Sequence, residues 1–209
     1  MAVLLSIEHS QRDGGVAVSD VGSGELLARA VVPRGGRHQV DLMVQVRDLL
    51  AEAGAGPADL KAVAVALGPG GFTGLRVAVA TAKALCWSTG AALLAVPTLA
   101  LMRAQQPDAV VGLNVKFDEA WSAGPGALRE PAMRPVLLLR EAAAAGGHAL
   151  VMDKTDDALP VEPDVAVLAR LGLAALRAGE LADVRTLEPL YIRETEAERK
   201  WRERAGSSS

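Results

Sequence analysis

The chain has 209 residues, enough to bury a real core as one large domain or two small ones. Half of the residues are apolar, only 3% are aromatic and the net charge is −3, which argues against nucleic acid as a direct, stand-alone ligand and against a base-stacking platform. No apolar run reaches the roughly 18 residues of a membrane span, no basic-then-apolar leader opens the chain, and the single cysteine, Cys86, excludes an intramolecular disulfide; the expectation is a soluble cytoplasmic protein.

Residues 2–7 read as a strand, 15–19 as a second and 25–32 as a third, with the turn composition of 20–24 between the last two. With no helix between them, these strands should form an antiparallel meander. A helix is predicted over 37–53, stopped at Gly54, with Leu42, Met43, Val46, Leu49, Leu50 and Ala53 as one apolar stripe and Val44 off it. An apolar strand over 62–66 then leads into Leu67-Gly68-Pro69-Gly70-Gly71-Phe72-Thr73-Gly74-Leu75-Arg76, and an Ala-rich helix follows to Trp87. Four glycines in this turn allow positive φ and close backbone approach. A helix start at Thr73 would leave free N–H groups at the turn, a candidate anion site. The helix carries only Arg76 and Lys83 as charges, so it is apolar nearly all round. Such a helix needs burial on two sides, against its own sheet and against either a second helix or another chain.

Residues 91–96 form the next strand, and Pro97 opens a helix to about 105. This order gives an α/β fold with a mixed sheet. A second segment starts near Asp108, with a hairpin at 110–123, a Gly- and Pro-rich stretch at 124–135, and a strand or helix at 136–145. A short strand at 148–152 and a helix over 165–178 follow. Residues 187–193 read as extended and 195–204 as helix-prone, and 206–209 should be disordered. The expected domains are therefore 1–106 and 107–205.

Complete catalytic sets are missing from this pattern. The P-loop needs Lys-Ser/Thr after its second glycine; the dinucleotide fingerprint needs a glycine where Thr73 stands. His38 faces Leu42 one turn on, with no second metal ligand, so no metal site is expected. Ser6, His9 and Ser10 lack a glycine-flanked nucleophile motif. Cys86 reads as an inert core thiol. Glu8, ending the first strand, is the best carboxylate for a metal-bound nucleotide. Asp118 and Glu119 read as turn charges, and Arg76 and Lys116 as phosphate contacts or surface residues.

Gly68 to Arg76 resembles the GPGSFTGLR signature of the bacterial TsaB (YeaZ) family. Leu5-Ser6-Ile7-Glu8-His9-Ser10 sits where that family carries LAIDTS, His38-Gln39 where a His-Ser-Glu helix opening is usual, and Pro97-Thr98-Leu99 resembles its VSTL step. Pro189-Leu190-Tyr191-Ile192-Arg193 and Glu196-Ala197-Glu198-Arg199-Lys200 are similar to its PLYLR and AERK motifs. The resemblance implies the two-lobed ASKHA fold of actin, Hsp70 and sugar kinases, RNase H-like with mixed sheets. It implies a role in placing threonylcarbamoyladenosine beside the tRNA anticodon, as the non-catalytic partner of TsaD, joined by the ATPase TsaE. It further implies no catalytic residues, no resident cofactor (ATP or Mg at most weakly or at the partner interface), and tRNA met only through the complex. When the chain is alone, both a monomer and a homodimer through the same surface stay open.

Two departures fit a non-catalytic subunit. The family's first-strand Asp is Glu8 here, and the Asp of its second-lobe DARRGEVY stretch is Asn114; a phosphotransferase of this fold needs carboxylates on its metal. The resemblance assigns partner-binding faces to the first two helices: His38, Leu42, Val44, Val46, Leu75, Val79, Ala80, Lys83 and Trp87. Gly68, Gly70, Thr73, Gly74 and Arg76 form the glycine-turn motif. The alternative is a free-standing ASKHA-type phosphotransferase or ATPase, supported by Glu8 and the glycine turn alone.

Overall fold

The computed structural model describes residues 1–11, 13–33, 41–116, 118–152 and 162–192. His38, the motifs beyond 192 and the expected tail at 206–209 lie outside them. β1 (Val3–Glu8), β2 (Asp13–Asp20) and β3 (Leu26–Pro33) form the expected antiparallel meander. β4 (Leu60–Gly68) adds parallel to β1, and β5 (Ala92–Pro97) parallel to β4, giving the order β3-β2-β1-β4-β5. All six residues of β1 are buried, as befits a central strand covered on both faces.

Alternation along β1 divides two cores. Val3, Leu5 and Ile7 pack with Leu42 and Val46 of α1 (Leu42–Glu52) and with Ala78, Val79 and Ala82 of α2 (Phe72–Thr89). Leu4 points the other way, to Leu101 of α3 (Thr98–Gln105) and to Leu168 and Leu173 of α5 (Val165–Ala178). The result is three layers: α1 and α2, the sheet, then α3 and α5.

The second sheet has the order β8-β7-β6-β9, from β6 (Val110–Lys116), β7 (Glu119–Ala123), β8 (Ala132–Pro135) and β9 (Leu150–Met152). α3 covers one face through Leu99 and Met102. α4 (Val136–Gly146) covers the other through Val136, Leu139 and Ala143, so the stretch at 136–145 is helix and not strand. α3 thus belongs to the cores of both sheets and joins them.

Of the helix expected over 37–53, residues 37–40 lie outside the described residues; Asp41 is extended (φ −65°, ψ 125°) and its carboxylate accepts the Met43 N–H at 2.8 Å, so α1 starts at Leu42. Met43, placed in the apolar stripe by its spacing, is 47% exposed. α5 crosses the back of the first sheet, so close that a Cβ on Gly172 would lie 2.8 Å from the Ala64 Cβ.

Candidate functional site

The glycine turn closes β4 directly onto the turn that follows β1. Gly68 has φ 111°, a conformation that excludes most side chains, and the Gly68–Pro69 bond is cis. A Cβ on Gly70 would lie 2.3 Å from the Ser10 carbonyl oxygen. The Gly71 N–H donates to that same oxygen at 2.6 Å. Gly71 is the N-cap of α2, which therefore starts at Phe72 and not at Thr73. Thr73 is exposed beside the turn, and Gly74 is buried.

Ser10 also faces Glu8. Its backbone N–H donates to Glu8 Oε1 at 2.8 Å, and its hydroxyl donates to the same oxygen. Glu8 is 1% exposed. The carboxylate expected to reach a metal-bound nucleotide is thus engaged by its own turn, and that turn is tied to the glycine turn through Ser10. Asn114 pairs across the hairpin with Ala120, and Asp118 (φ 62°) and Glu119 are exposed at its tip. Among the described residues, no group of three or more His, Cys, Asp or Glu side chains is placed to hold a metal ion.

The feature that sequence reasoning missed is a strap. After α5 the chain returns along α2, from its carboxyl end to its amino end. The Ala182 N–H donates to the Leu93 carbonyl on edge strand β5 at 2.8 Å. Lys83 Nζ donates to the Leu187 and Arg185 carbonyls at 2.9 and 3.3 Å. The Leu190 N–H donates to the Leu67 carbonyl at 2.8 Å, and the Leu190 oxygen passes where a Cβ on Gly68 would stand, 2.9 Å away. Arg76 Nε donates to the Tyr191 hydroxyl at 2.8 Å. The Arg76 guanidinium lies 3.9 Å above the Phe72 ring, whose centroid is 5.1 Å from that of Tyr191. The two most specific motifs meet at this corner, the glycine signature and, through its Leu190 and Tyr191, the PLYIR stretch that begins at Pro189. Their shared specificity was the available signal.

The residues expected at the partner face divide between core and surface. Leu42, Val46, Leu75 and Val79 are buried in the protein's own core, at 5%, 2%, 0% and 3% exposure, because they form the helix faces that cover the sheet. Lys83 is turned to the strap. Val44, Ala80 and Trp87 do face outward. With Thr73, Val77 and Ala84 they extend an exposed row along α2, at alternating spacings of four and three residues for Thr73, Val77, Ala80, Ala84 and Trp87. Trp87 is 69% exposed, and Val77 and Val44 follow at 43% and 38%.

The family model "TsaD: tRNA N6-adenosine threonylcarbamoyltransferase" matches residues 30–110. The tRNA threonylcarbamoyladenosine biosynthesis protein TsaB of Bacillus subtilis (strain 168) is 33% identical over 101 residues, 48% of this chain and 43% of that protein. A tRNA N6-adenosine threonylcarbamoyltransferase of Streptococcus pyogenes serotype M18 is 36% identical over 99 residues, 46% of this chain and 29% of that protein. The chain therefore spans less than half the length of the curated relatives it matches. The crystal structure of a Pseudomonas aeruginosa protein with similarity to peptidase YEAZ superposes with a TM-score of 0.71 at 26% identity, covering 92% of this chain and all (100%) of that one. YeaZ from Pseudomonas aeruginosa superposes on the same share of both chains with a TM-score of 0.69 at 24% identity. The α/β fold with two mixed sheets is shared with these Pseudomonas aeruginosa structures, and in its glycine signature, its order of elements and its sequence the chain is similar to the TsaB (YeaZ) proteins.

Proposed function

We propose that the chain is a non-catalytic subunit of tRNA modification. It pairs with a TsaD-type threonylcarbamoyltransferase and supports threonylcarbamoyl transfer to the tRNA adenosine next to the anticodon. A TsaE-type ATPase joins the pair, and tRNA is met through the complex. The observation that carries this reading is the exposed apolar row on α2, with Val44 of α1 beside it. A helix of that kind, apolar inside and out, is suited to a second helix layer supplied by another chain. An interface of standard size, roughly 800 Å² per side, would cover it. The engagement of Glu8 by Ser10, and the direct tie between the two turns, support a structural use of this crevice in place of phosphotransfer. ATP or Mg²⁺ would bind weakly or at the partner interface.

The test is co-purification with the TsaD-type protein of the same genome, then tRNA modification with and without this chain. The expected result is a stable complex and modification that depends on it. Failure to form a complex, together with ATP turnover by the chain alone, would establish the phosphotransferase or ATPase alternative instead.

A further inference from the structure

We propose that the open depression at the carboxyl end of α2, between Trp87 and Arg185, receives a large apolar side chain of the partner helix while a partner carboxylate meets the Arg185 guanidinium. This rests on the pairing proposed above and names a second point of attachment for it. The depression holds about 510 Å³ and is lined by Cys86, Trp87, Gly90, Ala91, Ala182 and Arg185 among others. Cys86, Gly90, Ala91, Ala182 and Val184 give it small or apolar walls, and Asp183 and Arg185 add charged ones. Trp87 stands at its rim, 69% exposed, with the Arg185 guanidinium 5.9 Å from the ring centroid. Asp183 is committed locally: its carboxylate accepts the Arg185 N–H at 2.8 Å. Among the described residues no carboxylate forms an ion pair with Arg185.

Position selects the occupant. The row Val77, Ala80, Ala84 and Trp87 runs straight into the depression. The small side chains of Ala80 and Ala84 let a helix approach closely, and its next turn then lies over the depression. A free metabolite is a poorer occupant, because small-molecule sites are enclosed and carry convergent polar groups that fix an orientation. Trp and Arg, here an exposed Trp beside a pocket and an Arg with no ion-pair partner among the described residues, are the residue types that dominate binding energy at protein interfaces. The charge on Arg185 calls for an acidic residue opposite it.

The experiment titrates the full chain with the TsaD-type protein of the same genome, by calorimetry at two salt concentrations. Trp87→Ala is expected to weaken binding by about thirtyfold or more. Arg185→Glu should weaken it by about tenfold and reduce its salt dependence. Leu138→Ala, on the exposed side of α4, should change nothing. Both test residues are exposed, and the thermal midpoint of each variant checks the fold. If Ala80→Glu abolishes the complex while Trp87→Ala and Arg185→Glu bind as the parent does, the depression is not a contact and the pairing stands. If the parent chain forms no complex, both proposals fall. If Trp87→Ala dissolves a dimer of this chain in sedimentation and binds the TsaD-type protein as the parent does, the occupant is a second copy and the partner assignment is overturned.

Discussion

Gly70 and Gly54 separate two reasons for glycine. A methyl group at Gly70 would stand 2.3 Å from the Ser10 oxygen and 2.7 Å from the Ser10 Cβ, and neither backbone can yield without breaking the Gly71 to Ser10 hydrogen bond. Gly54 has open space around it and needs glycine only for its φ of 69°. Gly70→Ala should therefore cost about 3 kcal/mol, the upper range for overpacking, and Gly54→Ala about 1 kcal/mol; paired denaturant titrations check the ranking. Cys86 is a second case in which environment outweighs residue type. Burial pushes its thiol up to about 11 from an ordinary value of 9.0. The folded chain then keeps a proton that the unfolded chain has lost, so this contribution to stability is whole below pH 9 and disappears as pH rises toward 11. In Cys86→Ala the alkaline loss of stability should be shallower than in the parent, as chemical denaturation at pH 8, 9, 10 and 11 would reveal.

α2 shows how far local pattern can carry an argument. Its existence, its apolar character and its glycine start were legible, because helical spacing and a glycine turn are local signals. Which of its apolar residues face inward was less so. A helix with residues of similar hydropathy on every side has no phase of its own, and only the sheet beneath it decides that Leu75 and Val79 go in while Val77 and Ala80 stay out. That distinction makes a sharp prediction. Ala80→Glu puts a charge on the outer row without touching the core, so the thermal midpoint should stay within a few degrees while partner binding is lost. Val79→Glu should instead unfold the chain, because it buries an unpaired charge. Equal midpoints for the two variants would refute the assignment of faces. The strap was invisible for a different reason. Residues 180–192 have no periodicity, and their hold on α2 consists of backbone groups, two cations and a tyrosine hydroxyl. Tyr191→Phe removes one of these bonds at an exposed site, so the loss should stay near 1 kcal/mol. Its clearer reading is faster proteolytic cleavage between 180 and 192.

The chain as a whole is a closed circuit, and this was the least legible level. Local patterns gave the meander, the alternating α/β order and the second sheet, but return contacts between distant segments leave no periodic trace. α5 and the strap come after the second sheet in sequence, yet they finish the first one. Leu168 and Leu173 cover Leu4, Ala64 and Leu94, while Val184 and Leu187 pack on the opposite core. Residues 1–106 alone would therefore expose the part of one sheet face that α5 covers, leaving α3 as its only cover, and the edge strand β5. Area removed from water is the main stabilising term, and an uncovered edge invites pairing with other chains. A fragment ending at 106 should be aggregated or lack cooperative unfolding, even though it contains the glycine signature and nearly all of the stretch matched to the TsaD family model. Co-expression with residues 162–192 supplies α5 and the strap in trans and should recover soluble protein, with protection of the β1 and β4 amides from hydrogen exchange. A fragment 1–106 that melts cooperatively by itself would show that α5 and the strap decorate the first sheet without completing it.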